Sequence, residues 1–128
     1  MTNMKRIIST DKAPSAIGPY SQAVEAAGLI FISGQLPIDP ATGEMAPAEI
    51  QAQTEGVIKN LEGVLKSQGL ALENILKTTV YMADLSQFAR MNEVYGKFFA
   101  KNPPARATVE VKALPKAALV EIEAIAAR

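Results

Sequence analysis

The run Leu29-Ile30-Phe31-Ile32 is apolar at every position. A strand that shows one face to water alternates apolar and polar residues, so this run predicts a strand buried on both faces. Any fold that contains it must cover its sheet on two sides. The 128-residue chain is long enough for one hydrophobic core, and we expect residues 1–128 to form a single domain.

The patterns around this run predict a β-β-β-α-β-α-β-β order. Period-2 or β-rich segments predict strands at residues 5–9, 20–26, 29–34, 77–83, 106–111 and 119–127. Apolar residues at helical spacing predict a helix over 47–68 that ends before Gly69. A second helix, capped by Asp84 or Ser86, would bury Phe88, Met91, Tyr95 and Phe98.

This order predicts an α+β fold in which a single sheet carries both helices on one face. Each helix can act as a right-handed crossover between parallel strands, which places both helices on the same side. The other sheet face then stays open, although residues 29–32 require it to be covered. We therefore expect an obligate homo-oligomer whose sheets meet in its interior.

The composition excludes several kinds of chemistry. Lys+Arg and Asp+Glu are equal at 13 each, which argues against a nucleic-acid partner. The chain has no cysteine and no histidine, so thiol nucleophiles and thiolate metal sites are excluded. Binding of a hard cation by carboxylates alone is the most that remains, and we expect neither a metal nor a cofactor. Residues 1–10 lack the apolar core of a signal peptide, and no apolar stretch reaches membrane-spanning length. We expect a cytoplasmic protein without membrane contact.

Arg106 is the first candidate for function. Strand alternation puts Arg106, Thr108 and Glu110 on one face, and Glu121 and Glu123 share a face of the last strand. If these two strands paired as a hairpin, a carboxylate could lie near Arg106. Two interpretations stay open, namely a structural Arg–Glu pair and an anion anchor whose guanidinium fork receives a substrate carboxylate.

Four more polar positions could line a ligand site, and each has an ordinary alternative. Tyr20 follows Gly18-Pro19 at a loop-to-strand junction and could be a packed turn aromatic. Ser33-Gly34 ends a strand and could bring backbone close to a ligand or simply form a turn. Asn92 lies among apolar helix positions and could be a core amide with its hydrogen bonds satisfied.

Several segments carry a family pattern, namely 16–23 (AIGPYSQA), 32–35 (ISGQ), 77–81 (KTTVY) with 84–85 (DL), 104–109 (PARAxV, where x is Thr108), 114–115 (LP) and 120–123 (VEIE). Taken together, they resemble the RidA (YjgF) family of enamine/imine deaminases. The resemblance extends over essentially the whole chain. It implies a chorismate-mutase-like fold that assembles as a homotrimer, with helices outside, sheets inside and three sites in the clefts between subunits.

The resemblance also implies a reaction, the hydrolysis of 2-iminobutanoate and 2-iminopropanoate to 2-oxo acids and ammonia. The carboxylate-binding arginine of the family falls on Arg106, and its water-positioning glutamate falls on Glu121. The pocket-lining positions of the family fall on Tyr20, Ser33, Gly34, Asn92, Thr108 and Pro115. Thr108 stands where many relatives have cysteine, and Pro103 where they often have an aromatic residue.

Two other functions compete with this one. A non-catalytic regulatory trimer could use the same arginine to bind 2-oxo acids. Some relatives are described as ribonucleases or translation inhibitors, but this chain lacks the basic excess and the aromatic stacking platform that RNA binding favours.

Overall fold

The computed structural model describes residues 4–128. The elements are β1 (Arg6–Ile8), β2 (Ala23–Ala26), β3 (Leu29–Gln35), α1 (Ile50–Ser67), β4 (Ile75–Met82), α2 (Phe88–Phe98), β5 (Ala105–Glu110) and β6 (Val120–Ala127). Short 3₁₀ turns lie at Leu72–Asn74, Leu85–Gln87 and Pro115–Ala117. The element order that the sequence predicts is confirmed.

All six strands form one sheet in the order β1-β2-β3-β6-β4-β5. Strands β4 and β5 are parallel, and every other neighbouring pair is antiparallel. Since β3 and β4 both run antiparallel to β6, they are parallel to each other, and α1 connects them. Helix α2 connects β4 to β5 in the same way. The predicted α+β fold, a single sheet with two helices on one face, is confirmed.

The hairpin considered for the last two strands does not form. Strand β4 lies between β5 and β6 and is hydrogen-bonded to both. The parallel β4–β5 pair brings Thr78 beside Arg106, whereas the antiparallel β4–β6 pair brings Tyr81 beside Glu121. Arg106 and Glu121 therefore cannot meet through strand pairing.

Helix α1 begins at Ile50, three residues after the predicted start. The Glu49 carboxylate accepts hydrogen bonds from the backbone N–H groups of Gln51 (3.1 Å) and Ala52 (2.7 Å). A carboxylate in this capping position satisfies N–H groups that have no partner within the helix. The predicted end is confirmed, because Gly69 has a φ of +72° and the Leu70 N–H donates to the Leu65 carbonyl at 2.9 Å.

Asp84 caps the 3₁₀ turn that leads into α2 and not α2 itself, whose N-cap residue Gln87 makes no side-chain capping hydrogen bond. The Asp84 carboxylate accepts from the Ser86 N–H at 2.9 Å in the 3₁₀ turn Leu85–Gln87, and α2 follows directly at Phe88. Met91 and Tyr95 are buried, while Phe88 and Phe98 pack more loosely against the core. The predicted stripe thus faces the sheet.

The core lies between the helices and one sheet face. From the apolar run in β3, Ile30 and Ile32 point into this core, whereas Phe31 points away and is 45% exposed. Phe31 belongs to a cross-strand row that also contains Ile7, Val24 and Ile125. We call this second side of the sheet the open face; no element among residues 4–128 covers it.

Within residues 4–128, no helix is long and apolar enough to cross a membrane.

Candidate active site

Glu121 projects from the open face of β6. Its neighbours Val120 and Ile122 are fully buried on the helix side, so alternation turns Glu121 and Glu123 the other way. Their cross-strand partners on β4 are Tyr81 and Thr79, respectively. The sequence prediction that the two glutamates share a face agrees with this register.

A bulge in β3 lies beside these carboxylates. Ile32 pairs with Ala124 and Gln35 pairs with Ile122, so Ser33 and Gly34 together stand opposite a single residue of β6. A Cβ added to Gly34 would overlap Oε2 of Glu121. Bulges of this kind commonly re-aim backbone next to active sites, and here the bulge lets the carboxylate approach the main chain.

A cavity of ≈ 680 Å³ opens at this position. It brings together several residues that the sequence predicts for the site, namely Tyr20, Ser33, Gly34, Pro115 and Glu121. Glu123 and Lys116 also line it, and neither was predicted to do so. The volume suits a small ligand.

The hydrogen bonds around the bulge hold its backbone in place. The Ser33 hydroxyl donates to the Ser21 carbonyl at 2.6 Å, and the Ser33 N–H donates to the Gln22 carbonyl at 3.0 Å. The Tyr20 hydroxyl oxygen accepts weakly from the Ile17 N–H at 3.4 Å, and the side chain is 54% exposed. The Ser33 hydroxyl proton is thus already used in a hydrogen bond to the backbone, whereas the Tyr20 hydroxyl can still donate its proton to another acceptor.

The environment of the cavity favours the protonated form of the Glu121 carboxyl, compared with the same group in water. Burial raises the pKa of Glu121 above its ordinary value, and the negative charge of Glu123 raises it further. Burial and the same glutamates raise the pKa of Tyr81. No basic group forms an ion pair with Glu121 within residues 4–128. Such a group is suited to take up and return a proton.

Arg106 lies on the opposite side of the sheet. Its partner on β4, Thr78, is fully buried on the helix side. The Arg106 guanidinium carbon is 4.7 Å from the ring centre of Tyr95 and 5.4 Å from that of Phe88. Its Nη1 donates to Oδ1 of Asn92 at 2.7 Å. Arg106 and Asn92 are thus together, but they are separated from Glu121 by the sheet.

Within residues 4–128, Arg106 forms no structural Arg–Glu pair. The chain has three other arginines, Arg6, Arg90 and Arg128, and each forms an ion pair with a glutamate. Arg106 has no carboxylate within 4.0 Å among residues 4–128. Its remaining N–H donors are directed to no acidic group of the described chain, which leaves them for an external anion.

Thr108 is the next residue of β5 on the helix side. Its Oγ1 is buried and has no hydrogen-bond partner within the described chain. A buried hydroxyl without a partner costs stability, so this oxygen is a candidate to gain one on ligand binding or assembly.

Sequence reasoning missed the aromatic support beneath Arg106. Phe88 and Tyr95 were expected only as core residues, although Asn92 falls on the same helical stripe at i+4 and i+7 spacing with them. That spacing was the available signal. The contact itself depends on how α2 docks on β5, which no local pattern specifies.

The predicted site residues therefore form two groups. The Glu121 half-site contains Tyr20, Ser33, Gly34, Pro115 and Glu121 at the cavity on the open face. The Arg106 half-site contains Asn92, Arg106 and Thr108 on the helix side of the edge strand β5. Within one protomer, the sheet lies between the two half-sites.

The fold and the half-sites define a class of protein. It has a single mixed sheet backed by two helices, an arginine without an ion pair in the described chain and a partly buried glutamate, and it has no histidine or cysteine. A family model described as Endoribonuclease L-PSP matches residues 10–128. The chain belongs to that family, the RidA (YjgF) family that its motifs resemble, and the recognition made from sequence is confirmed.

Relatives in this family carry different names. A RutC family protein of Pyrococcus horikoshii is 50% identical, with 96% of this chain and 98% of the relative covered. The mouse 2-iminobutanoate/2-iminopropanoate deaminase is 46% identical, with 96% of this chain and 91% of the relative covered. The prediction of an enzyme of the imine-deaminase class is confirmed at the level of the family.

A solved structure supports the same assignment. E. coli TdcF with bound serine superposes with a TM-score of 0.91 at 44% identity, covering 96% of this chain and 98% of TdcF. That protein holds a small amino acid, which carries a carboxylate.

Proposed function

We propose that the protein hydrolyses 2-imino acids and their enamine forms, specifically 2-iminobutanoate and 2-iminopropanoate, to 2-oxo acids and ammonia. The observation that carries the proposal is the guanidinium of Arg106, which forms no ion pair within residues 4–128. It is held by Asn92 and two aromatic rings while every other arginine is paired with glutamate. Mouse and rat relatives named for this reaction, each 46% identical, support it.

The site forms between protomers in this proposal. One protomer contributes the Glu121 half-site and its neighbour contributes the Arg106 half-site, in a homotrimer whose open faces meet. The positions of Arg106 and Glu121 on opposite faces of the sheet support this arrangement. So does the exposure of apolar side chains on the open face, where Ile7 is 53% and Val109 is 42% exposed. Such a face needs cover, and an identical copy supplies it symmetrically.

Arg106 acts as the anchor in this mechanism. Its unused N–H donors receive the substrate carboxylate, which fixes the C=N carbon relative to the neighbouring protomer. Tyr20, Ser33 and Pro115 line the cavity and form one wall of the pocket. Thr108, whose Oγ1 has no hydrogen-bond partner among residues 4–128, contributes to the wall on the protomer that supplies Arg106.

Glu121 acts on water. A protonated imine is already electrophilic, so the water oxygen adds to its carbon while Glu121 accepts one proton from that water. Glu121 then gives this proton to the nitrogen of the carbinolamine, and the C–N bond breaks to release ammonia. The hydroxyl proton passes back to Glu121 as C=O forms, and from there to the ammonia. Ammonium and the 2-oxo acid leave, so that one water is consumed for each imine. A carboxyl with a raised pKa is suited to these proton transfers.

This chemistry needs no cofactor, and the substrate is a small molecule that other enzymes release into solution. We propose a cytoplasmic location, with no nucleic-acid or membrane partner.

The test is a coupled assay in which a threonine dehydratase generates the imine and 2-oxobutanoate formation is followed. Arg106→Ala should abolish the acceleration, whereas Arg90→Ala, which removes an arginine paired with Glu49 on the same helical layer, should not. Glu121→Gln should lose turnover and keep 2-oxobutanoate binding. Wild-type acceleration by Arg106→Ala would overturn the proposal. Wild-type acceleration by Glu121→Gln would instead reassign the water-activating role.

A further inference from the structure

Helix α2 presents one stripe of side chains to Arg106. Phe88, Asn92 and Tyr95 follow each other at i, i+4 and i+7, and all contact the guanidinium. The rings lie within cation–π distance, and Asn92 accepts a hydrogen bond from Nη1. Arg106 is on an edge strand and forms no ion pair within residues 4–128. Among the described residues, these three side chains therefore hold its guanidinium in place.

Tyr95 is itself locked in place by a second contact. Its hydroxyl lies 2.7 Å from Oγ1 of Thr78, and both side chains are buried. Thr78 is also the residue that stands beside Arg106 in the β4–β5 pair. The strand position that sets the backbone of Arg106 therefore also sets the ring against which its guanidinium lies.

The contacts that fix the Arg106 guanidinium should favour the binding of an anion. A free arginine side chain loses rotamer entropy when it is fixed by a ligand. Contacts that fix it beforehand remove part of that loss. Asn92 accepts from Nη1, whereas Nε and Nη2 have no partner among the described residues. The Tyr95 ring lies 4.7 Å from the guanidinium carbon and restricts where those donors can move.

We propose that Tyr95 is a positioning residue for Arg106, and that the Tyr95–Thr78 hydrogen bond sets the orientation in which the guanidinium receives a substrate carboxylate. This inference rests on the proposed function of Arg106 as a carboxylate anchor. Tyr95 acts through Arg106 and contacts no substrate.

The test compares Tyr95→Phe, Thr78→Val and the double variant with wild type. Calorimetric titration with 2-oxobutanoate measures the carboxylate ligand, and titration with the uncharged 2-oxobutanamide measures a ligand that Arg106 cannot anchor. Each single variant should weaken 2-oxobutanoate binding about fivefold and leave the amide unchanged. The double variant should be no weaker than either single variant, since all three lack the same hydrogen bond.

A matched control separates positioning from lost stability. Thr54 is fully buried, and its hydroxyl donates to the Ile50 carbonyl within α1. Thr54→Val makes the same chemical change as Thr78→Val away from Arg106, and it should leave the affinity for 2-oxobutanoate unchanged. The double variant at Tyr95 and Thr78 leaves neither hydroxyl unsatisfied, so it tests the proposal even if Tyr95→Phe folds poorly.

Two results would overturn the positioning role. One is wild-type affinity for 2-oxobutanoate in all three variants while Arg106→Ala still abolishes binding. The other is an equal loss for the acid and the amide, which would indicate general distortion. A different result, wild-type 2-oxobutanoate affinity in Arg106→Ala, would remove the proposed function itself.

Discussion

The carboxylate of Glu121 lies against the main chain of Gly34, so that a Cβ on Gly34 would overlap Oε2 of Glu121 unless that side chain moved. The bulge at Ser33-Gly34 and the alternation of β6 together create this contact. Gly34 does not have a positive φ, so a larger residue would be opposed here by the end of the Glu121 side chain and not by the backbone conformation.

Gly34→Ala should abolish most turnover without unfolding the protein. The added methyl group would displace the Glu121 carboxylate, and misplacement of a reacting group by about 1 Å can cost about 100-fold in rate. Turnover in the coupled assay and binding of 2-oxobutanoate should be measured together. Gly96→Ala is the control. A Cβ at Gly96 would meet nothing within 4 Å, and because Gly96 lies in α2, alanine at this position should stabilise the helix. Wild-type turnover in Gly34→Ala would contradict the role of this contact.

Removing the charge of Glu123 should shift the acid limb of the pH–rate profile to lower pH. Burial and Glu123 both raise the pKa of Glu121, so Glu123→Gln removes the second cause and lowers that pKa. Tyr81 and Lys116 also face this region and stay in place. The profile of kcat/KM should be compared with that of Glu73→Gln, an exposed carboxylate outside the cavity. An acid limb that stays in place, or moves to higher pH, would count against Glu121 as the titrating base.

Glu121→Gln should be more stable than wild type at neutral pH. Because the pKa of Glu121 is raised in the folded protein, its protonated form is favoured by folding. The stabilisation is complete below the unfolded-state pKa and is lost as the pH rises through the folded-state pKa. Denaturant titrations at pH 7 and pH 4 should show a larger advantage of the variant at pH 7. An equal difference at both pH values would argue against a raised pKa.

Ala117→Gly should stabilise the protein. Lys116 and Ala117 have φ values of 58° and 55°, two consecutive residues in the left-handed region at the rim of the cavity. Glycine adopts this conformation without the Cβ clash, so a gain of about 0.5–1 kcal/mol in the free energy of unfolding is expected. Ala52→Gly makes the same change inside α1 and should lose about 1 kcal/mol. Loss of stability in both variants would contradict the strain at Ala117.

Much of the fold follows from local patterns. The stripe at helical spacing places α1 on the core, and Gly69 ends it as predicted. The helix was predicted to start at residue 47, but it starts at Ile50 because the Glu49 side chain caps it. Sequence alone does not show that Glu49 has this role. The faces of Arg106 and of Glu121 within their own strands also follow from alternation.

The relation between those two faces could not be predicted. It depends on β4 inserting between β5 and β6 and on two separate registers, which involve residues far apart in the chain. One residue of slip would move a side chain to the other face. The docking of Tyr95 beneath Arg106 is likewise tertiary. The resemblance implied the residues of the site, whereas their division between two sheet faces is visible only in three dimensions.

The central claim is that Arg106 and Glu121 of different protomers form one site, and subunit complementation tests it most directly. Arg106→Ala and Glu121→Gln variants, each inactive alone, would be unfolded together, reassembled at equal ratio and checked for hybrid oligomers by native mass spectrometry. Random reassembly should join an intact Arg106 to an intact Glu121 at about one quarter of the interfaces, so about a quarter of wild-type activity should return. Hybrid oligomers without activity would contradict the shared site.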